Sequence, residues 1–409
     1  MTTPPMAKTA KRTASKRPPR NMTPMDAQAR NIIQTIHDTP GRTVMVTAGA
    51  GTYALAWLLG VAGASRTLLE ALVPYDWAAF DDFLGQTPAQ YVALPTARLM
   101  AGRALSRGRW LHRDESVIGL ACTATIATDR PKRGEHRAHV ATWQTTAVAS
   151  YSLHIQKGLR DRQGEEELVS RLILNALARA YGLGERLDLR LATDSADGDE
   201  CEEQFADLAV SARRLHRGAI DCFSISEDGE VRDAGPREHV ILSGAFNPLH
   251  DGHLGLAKAA QLALKQPLAF ELAAHNADKA PLDPAEVLER LAQFAGRWPV
   301  VASHAATFVE KARLYPRTVF VVGYDTAARI VHPRYYEGSR EKMREALREI
   351  RERGCHFLVA GRTGDDGRFH PAPSLSVPAG FEDLFVPMTG FRHDISSTEL
   401  RKSGARGSR

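Results

Sequence analysis

Cysteine is scarce in this chain: there are four in 409 residues, Cys122, Cys201, Cys222 and Cys355. None belongs to a Cys-x-x-Cys pair, which argues against a thiolate zinc site and a disulfide framework and points to a reducing, cytoplasmic setting. Isolated cysteines of this kind are small hydrophobes in or near a core. Positive charge is lacking where it would matter. The net charge is +5, yet residues 1–30 hold seven Lys/Arg and one acid, Asp26. The remainder is therefore close to −1 and offers no basic footprint for nucleic acid. No internal period suggests a solenoid. Long apolar runs are also missing, apart from the uncharged stretch 43–65. That stretch is dense in Gly and Ala and divides into a short strand (43–47), a glycine turn and a helix (53–61), which reads as soluble structure and not as a membrane span.

What remains is a soluble composition, 43% apolar and 25% charged, at a length that suits two domains. Residues 1–28 form a basic tail rich in Pro, Thr, Ser and Ala without apolar periodicity, expected to be a disordered extension. Its prolines and clustered lysines fit a targeting helix poorly. Residues 29–232 are expected to form one α/β domain and 239–409 a second, with 233–238 as linker. In the first, the pattern predicts a helix over 26–39, strands over 116–128 and 138–148, a helix over 165–181, an acidic loop at 194–203 and a short hairpin over 219–232. In the second, strands over 240–243, 268–274, 300–302, 318–322, 355–360 and 384–386 alternate with helices over 254–265, 284–294, 307–314 and 339–353. A last helix starts at Ser397. That alternation predicts a parallel, doubly wound sheet with ligands outside the carboxyl ends of its strands.

Four polar clusters fall at those ends. The first is Gly244-Ala-Phe-Asn-Pro-Leu-His-Asp-Gly-His253, where a buried strand meets a glycine turn and two histidines stand three residues apart at a helix start. Unpaired backbone N–H groups and the positive dipole end make such a start an anion site, and both imidazoles can donate to phosphate oxygens. The second cluster contains Asn276, Asp278 and Lys279. In the third, Val321-Val-Gly-Tyr-Asp-Thr326, Gly323 precedes Asp325, an acid expected to cap the next helix. The fourth is Asp394-Ile-Ser-Ser-Thr-Glu-Leu-Arg401. There Ser396, Ser397 and Thr398 can serve as caps and phosphate donors, with Arg401 one turn further on.

With the first and fourth clusters the chain resembles the HxGH nucleotidyltransferase superfamily, whose signatures are strand–(H/T)xGH–helix and ISSTxxR. The Gly-x-Phe-Asn-Pro form and the Gly-x-Asp-Thr element look most like nicotinamide or nicotinate mononucleotide adenylyltransferases. The resemblance implies a Rossmann-like domain that transfers a nucleotidyl group directly from a nucleoside triphosphate to a phosphate and releases pyrophosphate. It implies His250, His253 and Arg401 as catalytic residues. Gly244, Ala245, Phe246, Asn247, Gly252, Gly323, Asp325, Ile395, Ser396, Ser397 and Thr398 would bind nucleotide, and Asn276, Asp278 and Lys279 the acceptor. Mg²⁺ would arrive with ATP, with no metal ligand expected from protein side chains.

The first half resembles the C-terminal domain of the CinA family, whose active members deamidate nicotinamide mononucleotide. The carrying segments are Val46-Thr-Ala-Gly-Ala-Gly-Thr-Tyr-Ala-Leu-Ala-Trp-Leu-Leu-Gly-Val-Ala-Gly-Ala-Ser65, Val73-Pro-Tyr-Asp76 and Ile118-Gly-Leu-Ala-Cys-Thr-Ala-Thr-Ile-Ala-Thr-Asp-Arg-Pro-Lys132. It departs from that family at its nucleophile. Ala48 takes the place of the family serine, Tyr75 matches a family tyrosine, the lysine that follows is replaced near Phe80, and Ala124-Thr-Ile-Ala-Thr128 replaces a Gly-Pro-Gly-Gly loop. A methyl group cannot attack an amide, so this half is expected to be a degenerate CinA-like domain left with dimerisation, sensing or positioning. Thr47 and Thr52 are the hydroxyls that could stand in for the serine.

The partners expected are ATP, a phosphorylated small-molecule acceptor and further copies of the chain, with neither nucleic acid nor membrane. Two other readings stay open: a cytidylyltransferase-type enzyme acting on another phosphorylated acceptor, and a nucleotide-binding regulator without turnover.

Overall fold

A computed structural model describes residues 25–112, 116–130, 133–192, 198–275, 280–363, 369–370 and 374–388. The chain enters through α1 (Ala27–Asp38), capped by the Asp26 carboxylate on the Ala29 N–H at 2.8 Å. There follow β1 (Arg42–Ala48), α2 (Thr52–Gly60), α3 (Ala64–Thr67), β2 (Leu68–Leu72), α4 (Trp77–Leu84), α5 (Leu94–Leu111) and β3 (Val117–Thr125). The unit continues with β4 (His136–Trp143), β5 (Ala147–Ile155), α6 (Arg162–Ala180), β6 (Glu200–Asp207) and α7 (Leu208–His216).

These strands build a six-stranded sheet in the order β2-β1-β3-β4-β5-β6. Its β2, β1 and β3 are parallel, while β3 to β6 form an antiparallel meander. Strand alternation sorts β1 between two cores: Val44, Val46 and Ala48 pack on the α5 side, and Met45 on the side of α1, α2 and α6.

Two expectations fail here. Residues 138–148 are not one strand but the end of β4, a turn and the start of β5, because Gln144-Thr145-Thr146 turns without the Gly, Asn or Pro that announces most turns. The acidic loop at 194–203 runs into β6, an edge strand whose residues are all exposed except the half-buried Cys201 and Ala206. Such an edge has no inward apolar face to reveal it.

The second sheet has eight strands, β16-β13-β12-β9-β10-β11-β7-β8. The hairpin β7 (Cys222–Ile225) and β8 (Val231–Arg232) precedes β9 (Val240–Gly244), α8 (Asp251–Leu264), β10 (Leu268–Ala273) and α9 (Pro284–Leu291). Then come β11 (Val300–Ser303), α10 (Phe308–Leu314), β12 (Val319–Gly323), α11 (Tyr324–Ile330), α12 (Arg340–Glu352) and β13 (His356–Ala360). A two-stranded pair, β14 (Arg362–Thr363) with β15 (Phe369–His370), leads on to β16 (Phe385–Pro387). The strands β16 through β11 are all parallel, and their order reverses between β9 and β12. One face of β12 and β13 (Phe320, Phe357) packs with Ala312, Ala327 and Leu347 of α10, α11 and α12. The other face (Val321, Leu358) joins the core that holds Ala257, Ala260 and Leu288 of α8 and α9. This is a doubly wound sheet, and the whole is a two-unit α/β protein.

The hairpin expected within residues 29–232 lies instead in the second sheet, where β7 pairs antiparallel with β11. The two units also share one core, built around α5. A Cβ on Gly119 of β3 would lie 2.0 Å from the Ala101 carbonyl, and one on Gly102 would lie 2.5 Å from the Gly296 nitrogen. Glycine therefore lets α5 press against β3 on one side and the second unit on the other. Ser106 adds a hydrogen bond to the Ala295 carbonyl (2.8 Å), and Arg109 pairs with Glu289 (2.8 Å). No helix among the described residues is long and apolar enough to cross a membrane.

Candidate active site

The rule for doubly wound sheets directs attention to the crevice between β9 and β12. Val321 lies opposite Leu242, and two residues further on these strands end at Gly323 and Gly244. At the end of β9 a Cβ on Gly244 would stand 2.7 Å from the Phe246 ring, so glycine is what lets that ring fold back. Phe246 itself is held at φ +44°, a left-handed conformation that costs a non-glycine residue about 1 kcal/mol or more. The Asn247–Pro248 bond is cis.

The loop is tied down from α9 and the turn after it. Gln293 donates to the Phe246 carbonyl (2.9 Å) and accepts from the Leu249 N–H (2.8 Å), while Arg290 donates to the Ala245 carbonyl (2.9 Å). Neither residue carries a sequence signal, since both lie more than 40 residues from the loop they hold.

Helix α8 then starts with His250 as its N-cap and His253 in its first turn. Their rings stack at 3.7 Å between centroids, and the Phe246 ring meets His253 edge-on at 5.1 Å. His253 Nδ1 accepts the His250 backbone N–H at 3.3 Å. With Nδ1 an acceptor, the proton of a neutral ring sits on Nε2. Burial, with the neighbouring His250 adding to it, pushes the His253 pKa down to about 3. His253 is thus a neutral imidazole that offers one fixed N–H donor beside a helix start.

Several expected contacts shift in meaning. Phe246 is 1% exposed and packs on Phe270 and Phe294, so its ring supports His253 from the core side. Asp325 is not a helix cap: Gly323 is the N-cap of α11, and Asp325 stands in the first turn. There an acid complements the dipole without closing the end. A Cβ on Gly323 would meet open space, so protein packing does not demand glycine at that strand end. Ala245 and Asn247 are exposed and Gly252 is half-buried at the start of α8. Asn276, Asp278, Lys279, Ile395, Ser396, Ser397, Thr398 and Arg401 lie outside the described residues, as does the tail through residue 24. Among the described residues no group of three or more His, Cys, Asp or Glu could hold a metal ion.

The corresponding place in the first sheet is already filled. At the start of α2 a single oxygen of Glu166 accepts the N–H groups of Gly51 (2.8 Å), Thr52 (2.6 Å) and Tyr53 (3.2 Å) and the Thr52 hydroxyl (2.9 Å). Its neighbour Glu165 accepts from the Ala127 N–H (2.7 Å) and meets His136 Nδ1 at 2.9 Å. The first turn of α6 thereby closes the loops that follow β1 and β3. Thr47 is 1% exposed and donates its hydroxyl to the Ala50 carbonyl. Ala48 and Phe80 are buried, and Tyr75 is 67% exposed.

Residues 241–403 match the cytidylyltransferase-like family model. The second unit is accordingly a nucleotidyltransferase-like domain. The N-terminal part is similar to solved structures of the CinA superfamily. The competence/damage inducible protein CihA from Agrobacterium tumefaciens is 19% identical, over 40% of this chain and 100% of that one, with a TM-score of 0.31. A CinA superfamily protein from Enterobacter cloacae is 15% identical over 38% and 90% of the respective chains, with a TM-score of 0.31. One from Escherichia coli is 14% identical over 40% and 92%, with a TM-score of 0.29. No curated protein matches this chain.

Proposed function

We propose that the second unit transfers an adenylyl group from ATP to nicotinamide or nicotinate mononucleotide. An oxygen of the acceptor phosphate attacks the α-phosphorus in line, the α–β bridging P–O bond breaks, and pyrophosphate leaves with the electron pair. The observation that carries the reading is the neutral, backbone-anchored His253 stacked with His250 at the helix start, at the point where the strand order reverses. Transfer of this kind needs placement and charge neutralisation more than proton movement. The Nε2–H of His253 and the first N–H groups of α8 supply fixed donors for the oxygens that gain charge. Ser396, Ser397 and Arg401 are assigned to the β- and γ-phosphates on their motif alone. Mg²⁺ would arrive on the triphosphate and supply charge neutralisation.

We assign no amidohydrolase activity to the first unit. Ala48 provides no nucleophile, and the helix start that would receive an anion is saturated by Glu166. A second reading, cytidylyl transfer to another phosphorylated acceptor, is favoured by the description of the matching family.

The test is to incubate the purified chain with Mg²⁺, ATP or CTP and a panel of phosphorylated acceptors while following pyrophosphate release. Release with ATP and a pyridine mononucleotide is expected. Release only with CTP selects the second reading, and no release with any pair leaves a nucleotide-binding regulator. Ammonia released from nicotinamide mononucleotide would show that the first unit is a working amidohydrolase after all.

A further inference from the structure

A second pair of imidazoles meets at the carboxyl ends of the same sheet. His275 stands two residues beyond the end of β10, and His304 directly follows β11. Both are half-buried, and their ring centroids lie 3.6 Å apart with the planes inclined by 33°. Backbone bonds fix the two strand ends against each other. The Ala274 N–H donates to the Ser303 carbonyl (2.8 Å), and the Leu282 N–H returns to the Ala274 carbonyl (2.8 Å). On the far side the His304 N–H donates to the Asp221 carbonyl (2.9 Å). A third imidazole, His216 in the last turn of α7, places its Nδ1 3.2 Å from the Leu282 carbonyl.

This pair is chemically unfinished. His275 Nε2 is buried without a hydrogen-bond partner among the described residues, and a buried polar atom left in that state is one that a ligand can satisfy. Burial, and then repulsion from His304 and His216, holds the His275 pKa below the ordinary 6.5. The charges that act on this ring from the described residues are thus of one sign. An arriving anion reverses the balance. An opposite charge within about 4–6 Å favours the protonated ring, which then donates a charge-assisted hydrogen bond.

Position narrows the choice of anion. Strand β10 neighbours β9, with Leu272 opposite Gly244, and β11 neighbours β10, with Ser303 opposite Ala273. His275 and His304 therefore stand one and two strand spacings, about 5 and about 10 Å, to the side of the strand that leads into His250 and His253. Strand β12 lies on the opposite side of β9, so a ligand pair that meets where the strand order reverses extends over both sides. The reacting phosphate of the acceptor has to lie at the α8 start, against the α-phosphorus. A group held by His275 and His304 is then a different part of the same acceptor.

We propose that His275 and His304 form a subsite for a negatively charged group that the acceptor carries apart from its reacting phosphate, which in a pyridine mononucleotide is a carboxylate on the ring. The proposal rests on the transfer reaction proposed above and narrows it. The acid is the better acceptor, and the amide, with no charge to offer these imidazoles, is the poorer one.

Titration calorimetry of the full chain with nicotinate mononucleotide and with nicotinamide mononucleotide, which differ in this group alone, tests the subsite. The acid is expected to bind about tenfold to a hundredfold more tightly, as for hydrogen bonds to a charged group. His304→Leu, and separately His275→Leu, should remove most of that preference by weakening the acid. His304→Gln keeps an N–H donor and should restore part of it, which a role confined to packing would not do. The amide serves as the control for folding, since its affinity in each variant reports on the rest of the site. Equal affinities for acid and amide in the parent, or a tighter amide, overturn the subsite and leave the transfer reaction standing. So does an undiminished preference in both leucine variants. Binding of neither mononucleotide overturns the acceptor assignment and the subsite together.

Discussion

Both sheets end an early buried strand in a glycine turn and a helix start, and the two starts are finished in opposite ways. After β1, the N–H groups of Gly51, Thr52 and Tyr53 converge on the Glu166 carboxylate. After β9, the corresponding place carries His250 and His253, side chains able to donate to an anion. The same backbone geometry can serve as an anion receptor or as a structural joint, and the residue opposite decides which. Where the fold supplies its own carboxylate, the receptor is spent on stability.

The sharpest way to break this comparison is at His253. Replacing it with alanine removes a fixed donor, and loss of one such donor typically costs about 2.7–4 kcal/mol of barrier. His253→Ala should therefore slow pyrophosphate release by about a hundredfold or more, on the same scale. Undiminished turnover would remove this histidine from the chemistry and leave its helix start as structural as that of α2.

The converse change is Glu166→Ala. It strands three backbone donors and the Thr52 hydroxyl, and the charge-assisted bonds lost suggest a destabilisation of about 2–3 kcal/mol. Urea unfolding should show it. If the start of α2 is an anion receptor held shut, millimolar phosphate should restore part of the loss in Glu166→Ala and do little for the parent. Equal phosphate effects on both proteins would mean that the loop collapses when its plug is removed.

Acid separates the two starts by a different route. The His253 pKa lies at about 3, below the ordinary value of 6.5, so the unfolded chain takes up this proton first. The stabilisation is complete above pH 6.5 and declines as the pH falls from there toward 3, by at most about 1.4 kcal/mol per pH unit. His139, in β4 of the first unit, is pushed down to about 4 by burial and behaves alike. In His253→Gln the fall in unfolding free energy between pH 6.5 and 5 should shrink by at most about 2 kcal/mol. The part due to His139 should persist. An unchanged pH profile would show that the ring is already hydrated or charged in the native protein.

The contrast between the two starts is only half legible in the amino-acid order. The histidine start is visible because every feature is local: an apolar run, a glycine and two imidazoles within ten residues. The plugged start is not, because Glu166 lies 115 residues from Gly51 and sits in a helix whose apolar spacing explains it without any further role. The orientation of Phe246 is hidden for a related reason. Its place in the motif suggests a ligand contact, and only the left-handed backbone turns its ring into the core. The second sheet is legible strand by strand from its buried apolar runs. The edge strand β6 is not, because an exposed edge lacks a buried face, and the β7–β8 hairpin is legible as a hairpin but not in the sheet it joins, which nothing local states.

Gln293 offers the smallest change and the finest probe of the comparison. The α2 start is fixed by a charge, whereas Phe246 and Leu249 in the loop before α8 are bridged by one neutral amide, beside the Arg290 bond to Ala245. Gln293→Ala removes these two neutral hydrogen bonds and a third to the Arg290 carbonyl, worth about 0.5–1.5 kcal/mol each at most. Stability should fall modestly, by about 1 kcal/mol on that scale. Turnover should fall more than stability does if Gln293 acts by holding the loop that leads to His250. The split between kcat and KM tells these apart: a positioning role lowers kcat with little change in KM for ATP, because a misplaced donor is felt in the transition state. A rise in KM with kcat unchanged would instead mean that the loop serves ground-state binding. Gln293→Glu separates geometry from shape. It keeps the acceptor for the Leu249 N–H but places a carboxylate against the Phe246 carbonyl, so it should be no better than alanine.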